Sequence, residues 1–156
     1  MAKINKRIRR KILNFIGIML TSGMLPPKSF AIEWDKKAFN ESLLDKSLRL
    51  IGASNVRPSE NIDIKVPQIA ENGTIVPIEI TSKVQNTKSI YIFVEKNPSP
   101  LTAQFFFKSK TLPFVSSRIK MRESSRLLIL VKTSSDEFFR TERFVKVTIG
   151  GCGEDA

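Results

Sequence analysis

A chain of 156 residues, 41% of them hydrophobic, can bury one core of ordinary size and needs no second domain. It holds no histidine and one cysteine, which excludes Ser-His and Cys-His catalytic pairs, histidine-ligated metals and an internal disulfide. The formal charge of +11 invites a nucleic-acid reading, but 7 of the 26 basic residues fall in the first 31 positions, where there is no acid; the other 19 against 15 acids leave only +4, and that reading loses its footing.

The chain opens with Lys3, Lys6, Arg7, Arg9, Arg10 and Lys11, continues through a largely apolar run from Ile12 to Leu25, and reaches Ser29-Phe30-Ala31. This three-part layout is that of a secretory signal, residues 1–31, with cleavage expected after Ala31 and a periplasmic destination for the remainder. The apolar run is too short, and too broken by Asn14, Thr21, Ser22 and Gly23, to persist as a membrane anchor. Arg9-Arg10 with Leu13 resembles a twin-arginine signal, although Ile8 and Ile12 stand where its pattern has a hydroxyl residue and an aromatic; a Sec signal is the alternative.

Residues 32–149 form the expected domain. Between Trp34 and Gly52 lies the one helical signal: Asp35 is placed to cap a turn carrying Ala38 and Phe39, and Leu44, Leu48 and Ile51 recur at helical spacing ahead of Gly52. A small helix packed over one end of a sheet is predicted. From Asn61 onward the period is two. Ile62, Ile64 and Val66 alternate with Asp63 and Lys65 until Pro67, and after the Asn72-Gly73 turn signal Val76, Ile78 and Ile80 do the same. Ser89 to Val94 places Ile90, Ile92 and Val94 on one face and Tyr91 and Phe93 on the other, so that strand is either central or covered by a partner.

Asn97-Pro98-Ser99-Pro100 must be a loop, because proline has no amide hydrogen to donate to a ladder. Leu101, Ala103, Phe105 and Phe107 then alternate, leaving Phe106 to face outward, where an interface with Tyr91 and Phe93 is one reading and an ordinary exposed aromatic the other. Ser117, Ile119 and Met121 form a further set, Leu127 to Val131 is continuously apolar and expected to be buried on both faces, and Ser134-Ser135-Asp136 turns the chain into a last strand with Val145, Val147 and Ile149 inward. Some seven short strands and one small helix predict a mainly β fold, an antiparallel β-sandwich of immunoglobulin-like type.

The last strand runs into Gly150, Gly151, Cys152 and Gly153, followed by Glu154, Asp155 and Ala156. A thiol between glycines has no neighbouring side chains to pack, so residues 150–156 read as a flexible arm that lets Cys152 enter a narrow space. From Ile149 to Cys152 it reaches roughly 10 Å when extended. In an exported chain an unpaired cysteine signals a reactive or intermolecularly bonded thiol. Prenylation is excluded, since it requires the cysteine fourth from the end and Cys152 is fifth. No nucleophile elbow, P-loop or dinucleotide fingerprint is present, so no stand-alone enzyme site can be named.

Ile149-Gly150-Gly151-Cys152-Gly153 after Val145-Lys146-Val147-Thr148 resembles the Gly-Gly-Cys-Gly-Gly terminus of the SoxY family, the sulfur carriers of the bacterial Sox thiosulfate-oxidising system. Three other stretches agree in order: Ile69-Ala70-Glu71-Asn72-Gly73 with Val76-Pro77, Val94-Glu95-Lys96-Asn97-Pro98-Ser99-Pro100, and Ser117-Arg118-Ile119-Lys120-Met121. The resemblance implies the same sandwich fold, a heterodimer with a SoxZ-like subunit, and export in the folded state. It implies that Cys152 carries thiosulfate as a covalent S-thiosulfonate, loaded by a SoxAX-type haem protein, trimmed by a SoxB-type hydrolase and, where present, oxidised by a SoxCD-type dehydrogenase. On that reading the chain is not an enzyme, has no cofactor of its own, and leaves haem and metals to its partners. Glu154 departs from the family pattern, and the carboxylates beside the sulfur are expected to raise the thiol pKa and to repel an anionic adduct. The rival from another class is an exported β-sandwich that serves as a structural or interaction module with an inert terminal thiol.

Overall fold

The computed structural model describes residues 35–148 and Arg7; the expected signal, residues 1–31, apart from Arg7, and the arm, residues 150–156, with Ile149, lie outside the described residues. The chain divides into two units, Met1–Glu33 and Trp34–Ala156, and the fold described is that of the second.

Two short helices, α1 (Lys36–Phe39) and α2 (Leu44–Leu50), precede nine strands among the described residues: β1 (Val56–Pro58), β2 (Ile62–Lys65), β3 (Ile69–Ala70), β4 (Val76–Ser82), β5 (Thr87–Val94), β6 (Leu101–Phe106), β7 (Phe114–Ile119), β8 (Ser125–Thr133) and β9 (Phe138–Val147). The larger sheet runs β1-β9-β8-β5-β6, with β3 also on β9, and the smaller runs β2-β4-β7. The expected β-sandwich is therefore present.

Period-two patterning builds the space between the sheets. Val76, Ile78 and Ile80 of β4 meet Ile90, Ile92 and Val94 of β5 and Leu127, Ile129 and Val131 of β8, all but fully buried. Leu127 to Val131 is buried on both faces, because Leu128 and Leu130 belong to a second apolar cluster on the far side of the same sheet. Tyr91, Phe93 and Phe138 join that second cluster, and Ala38, Ile51 and the half-buried Leu44 and Leu48 cover it. The interface reading of Tyr91 and Phe93 is thus corrected: the chain's own helices bury them. Phe106 does face outward, at 38% exposure.

The helical region also differs from expectation. It holds two helices, broken at Asn40, and they lie over a face of the larger sheet instead of its end. Asp35 makes no side-chain cap; its carboxylate instead accepts a hydrogen bond from Gln104 Nε2 at 3.3 Å, a tie from helix to β6. The hydroxyl of Ser47 donates to the Ala38 carbonyl at 3.1 Å and joins the two helices. α2 ends at Gly52, whose φ of +80° is the left-handed conformation that closes a helix and that side chains disfavour. On β6 the alternation breaks as well. A register shift opposite Ile92/Phe93 turns Leu101 into the helix-side cluster while Ala103 and Phe105 face the inter-sheet core.

Burial pushes the Tyr91 phenol above its ordinary value. Its proton is therefore held more tightly folded than unfolded, so as pH rises past about 10 the unfolded chain ionises first and stability falls. Thermal denaturation between pH 9 and pH 11 should show this decline, and the Tyr91→Phe protein should lose less stability over the same range.

The stretch from Val56 to Ala70 changes sheets twice. β1 runs parallel to β9, with Val56 opposite Phe138; the chain then crosses to pair β2 with β4, and returns as β3, again parallel to β9, with Ile69 opposite Lys146. One continuous segment thereby holds both ends of β9.

Candidate functional site

The arm leaves from the end of β9, and the elements around that exit are the start of β4, the ends of β5 and β7, and the starts of β6 and β8. Ile119 opposite Val76, Val94 opposite Leu127 and Val145 opposite Ser125 fix them at one end of the sandwich. The three described stretches that carried the resemblance, with Val145 to Thr148, all lie at this end. Sequence separation hid that convergence.

Side-chain hydrogen bonds weld these loops together. Asn97 donates through Nδ2 to the Lys120 carbonyl at 2.8 Å and accepts the Arg122 amide at 3.0 Å, which fixes the β5–β6 loop against the chain following β7. The Met121 amide donates to the Gly73 carbonyl at 2.7 Å, tying in the corner between β3 and β4. That corner is shaped by Asn72, whose Oδ1 accepts the Thr74 amide at 2.8 Å, so the expected turn joins strands of different sheets.

The last described turn of chain is held on both flanks. Ser124 Oγ accepts the Val147 amide at 2.9 Å and donates to the Val147 carbonyl at 3.3 Å. On the other flank the Thr148 amide donates to the Ala70 carbonyl at 3.1 Å and its hydroxyl to the Glu71 carbonyl at 3.0 Å. The body is therefore fixed up to Thr148, four residues before the cysteine. Ser124 was missed at the sequence level; its only signal was a hydroxyl-rich turn between two strand patterns. Ser124→Ala removes both bonds to Val147 and should cost about 1–2 kcal/mol in denaturant unfolding. Hydrogen exchange at the Val147 amide should quicken as well, while exchange at the buried Ile129 amide changes only by the global loss.

Charge at this end is mixed. Arg126 donates through Nε and Nη2 to the two Glu95 oxygens at 2.8 and 2.7 Å, and this forked pair holds the Glu95 carboxyl below the usual carboxylate range. Its contribution is present above the unfolded carboxylate value and is lost as pH falls through the depressed one; at this exposure it is small. Lys96 pairs with Glu123 at 3.4 Å, whereas Lys120, Arg122 and Lys146 have no carboxylate within ion-pair distance among the described residues. No cluster of metal-binding side chains occurs among the described residues, and no described helix is long and apolar enough to cross a membrane. Cys152 and the glycines Gly150, Gly151 and Gly153 lie outside the described residues.

The family model for sulfur oxidation protein SoxY matches residues 48–152, a span that begins in α2 and ends on the cysteine. Among solved structures, the chain is similar to the sulfur carrier protein SoxY from Chlorobium limicola f thiosulfatophilum, with 34% identity and a TM-score of 0.60 over 67% of this chain and 94% of that one. A candidate superoxide reductase from Thermotoga maritima shares 15% identity with a TM-score of 0.50, over 59% of this chain and 93% of that one, a likeness of fold alone. A search of curated proteins finds no match.

Proposed function

The chain belongs to the SoxY family of sulfur oxidation proteins, and from that premise we propose that it is a sulfur carrier whose covalent attachment point is Cys152. In the loading step, the Cys152 thiolate and thiosulfate are coupled with loss of two electrons to give a Cys-S-S-sulfonate, and the electrons pass to a SoxAX-type haem protein. Water attack on the terminal sulfone by a SoxB-type hydrolase then releases sulfate and two protons and leaves a cysteine persulfide. A SoxCD-type dehydrogenase, where present, oxidises the remaining sulfane. The chain presents cargo and does not itself catalyse.

What carries this reading is the convergence of the family's stretches on the exit of β9. Asn97, Ser124 and Thr148 make that exit a fixed base, so a glycine-flanked thiol four residues on can be offered to enzyme pockets while the sandwich remains folded. The same reading includes export by residues 1–31, work in the periplasm and a heterodimer with a SoxZ-like subunit. Mass spectrometry after incubation with thiosulfate and a SoxAX-type enzyme should find an added sulfur group on Cys152 that a reductant removes. An unmodified thiol under those conditions would leave the inert-module alternative.

A further inference from the structure

The end of the sandwich opposite the exit of β9 holds a polar cavity that the carrier reading leaves unused. The end of β4, the starts of β5 and β7 and the ends of β6 and β8 meet there, with Thr81 opposite Phe114, Ser89 opposite Phe106 and Thr87 opposite Thr133. The β4–β5 turn, the β6–β7 loop and Ser134 enclose about 320 Å³, lined mainly by polar groups that include Lys83, Lys108 and Lys110 and no carboxylate. Lys83 Nζ lies 2.7 Å from an Asp63 oxygen, whereas Lys108 and Lys110 have no carboxylate within ion-pair distance among the described residues.

The two walls are built differently. On the β4–β5 side the polar groups are already paired: the Asn86 carbonyl accepts the Ser134 amide at 2.9 Å and its hydroxyl at 3.3 Å, and the hydroxyls of Ser82 and Thr87 lie 2.8 Å apart. On the β6–β7 side the Thr111 amide donates to the Lys108 carbonyl at 3.1 Å and closes a turn, with Lys110 at the position that ordinarily takes glycine, at a φ of +68°. Among the described residues the Ser109 and Lys110 amides and the Ser109 and Thr111 hydroxyls make no hydrogen bond within the protein. Asn86, at a φ of +55°, faces Lys110, so two of the three described non-glycine residues with left-handed backbone line this one cavity. Such conformations gather where a ligand is held.

We propose that this cavity binds a doubly charged tetrahedral oxyanion, the class that includes sulfate, thiosulfate and phosphate. Two uncompensated ammonium groups supply the charge, and hydroxyls and amides of the same loop supply further donors to an ion with acceptor oxygens on every side. The space equals about ten water molecules, enough for the ion and part of its hydration shell. The bound ion joins the β6–β7 loop to the fixed β4–β5 wall. The site does not rest on the carrier reading, since it needs neither Cys152 nor the end from which the arm leaves.

The test follows the backbone amides of the full 15N-labelled chain by NMR as sodium sulfate replaces sodium chloride at constant ionic strength, which holds general screening fixed. The Ser109, Lys110 and Thr111 amides should shift along a saturable curve, and the Lys108→Gln/Lys110→Gln double variant should bind about fivefold more weakly or less, the loss of two exposed charge contacts. Both lysines are exposed, and unchanged shifts at Ile129 and Ile90 confirm that the variant is folded. Thiosulfate and phosphate, titrated in the same way, rank the members of the class. Linear shifts without saturation, or an unaltered curve in the double variant, overturn the proposal. Shifts confined to Lys120, Arg122 and Lys146 place the ion at the other end and overturn it as well. Saturation by a glutamate-rich peptide but not by any of the three ions would assign the cavity to an acidic protein segment, which also overturns it. The Cys152→Ser chain should give the parent curve, so failure here and failure of the carrier reading are separable.

Discussion

Cys152→Ser is expected to reduce thiosulfate consumption by a reconstituted pathway to the rate seen without this subunit, with the denaturant midpoint of the sandwich unchanged. A cysteine is partly thiolate near neutral pH and is a strong nucleophile, whereas a serine hydroxyl without an adjacent base is neither ionised nor able to form a bond equivalent to the disulfide linkage. The chain has no histidine to supply such a base and no second cysteine to take over. The position also lies past Thr148, the last described residue, whose bonds to Ala70 and Glu71 the substitution leaves in place, so folding and carriage should separate in this variant. Undiminished consumption would remove the carrier reading, since no other side chain can hold the cargo as a disulfide.

Phe93→Ala should cost about 3–5 kcal/mol of stability, the loss typical of a buried aromatic whose cavity cannot collapse. Phe93 is fully buried on the helix side of β5, among Tyr91, Leu101, Leu128 and Leu130. Tyr91, Leu128 and Leu130 stand on strands with ladders on both sides, and Leu101 on the edge strand β6 is paired to β5, so the sheet has little freedom to close the hole. Only α1 and α2 could move inward, and their mutual tie through Ser47 limits that. Such a loss is a large share of the roughly 5–15 kcal/mol a domain of this size holds. Phe106→Ala, on the same sheet but at 38% exposure, should cost well under half as much. Urea unfolding of the two variants compares them, and equal losses would mean that the helices contribute little to burying Phe93.

Strands whose side chains alternate, or run apolar on both faces, were readable from the sequence because burial writes its period into them; a strand that buries little carries no period to read. Leu127 to Val131 and Val76 to Ile80 are of the legible kind. β1 and β3 are not, since Arg57, Pro58 and Ile69 are exposed and these strands are held by backbone pairing with β9. The second apolar face of β5 was legible too, and so was a helix from the spacing of Leu44, Leu48 and Ile51, but neither the break into two helices nor the sheet face they cover shows in so short a pattern. At the site, the tether and its cysteine stood out as composition. The welding of its base by Asn97 and Ser124 depends on side chains reaching the backbone of remote loops, which leaves no trace in local pattern.

Possession of both margins of β9 by its neighbours has a mechanical side. A pull on the arm is transmitted along the strand axis, with β8 hydrogen-bonded along one margin and β3 along the end of the other. Bonds perpendicular to the load stretch together in shear and do not peel apart one after another. A load applied at the end of β9 therefore meets a stiff mount, in which many backbone hydrogen bonds must yield together.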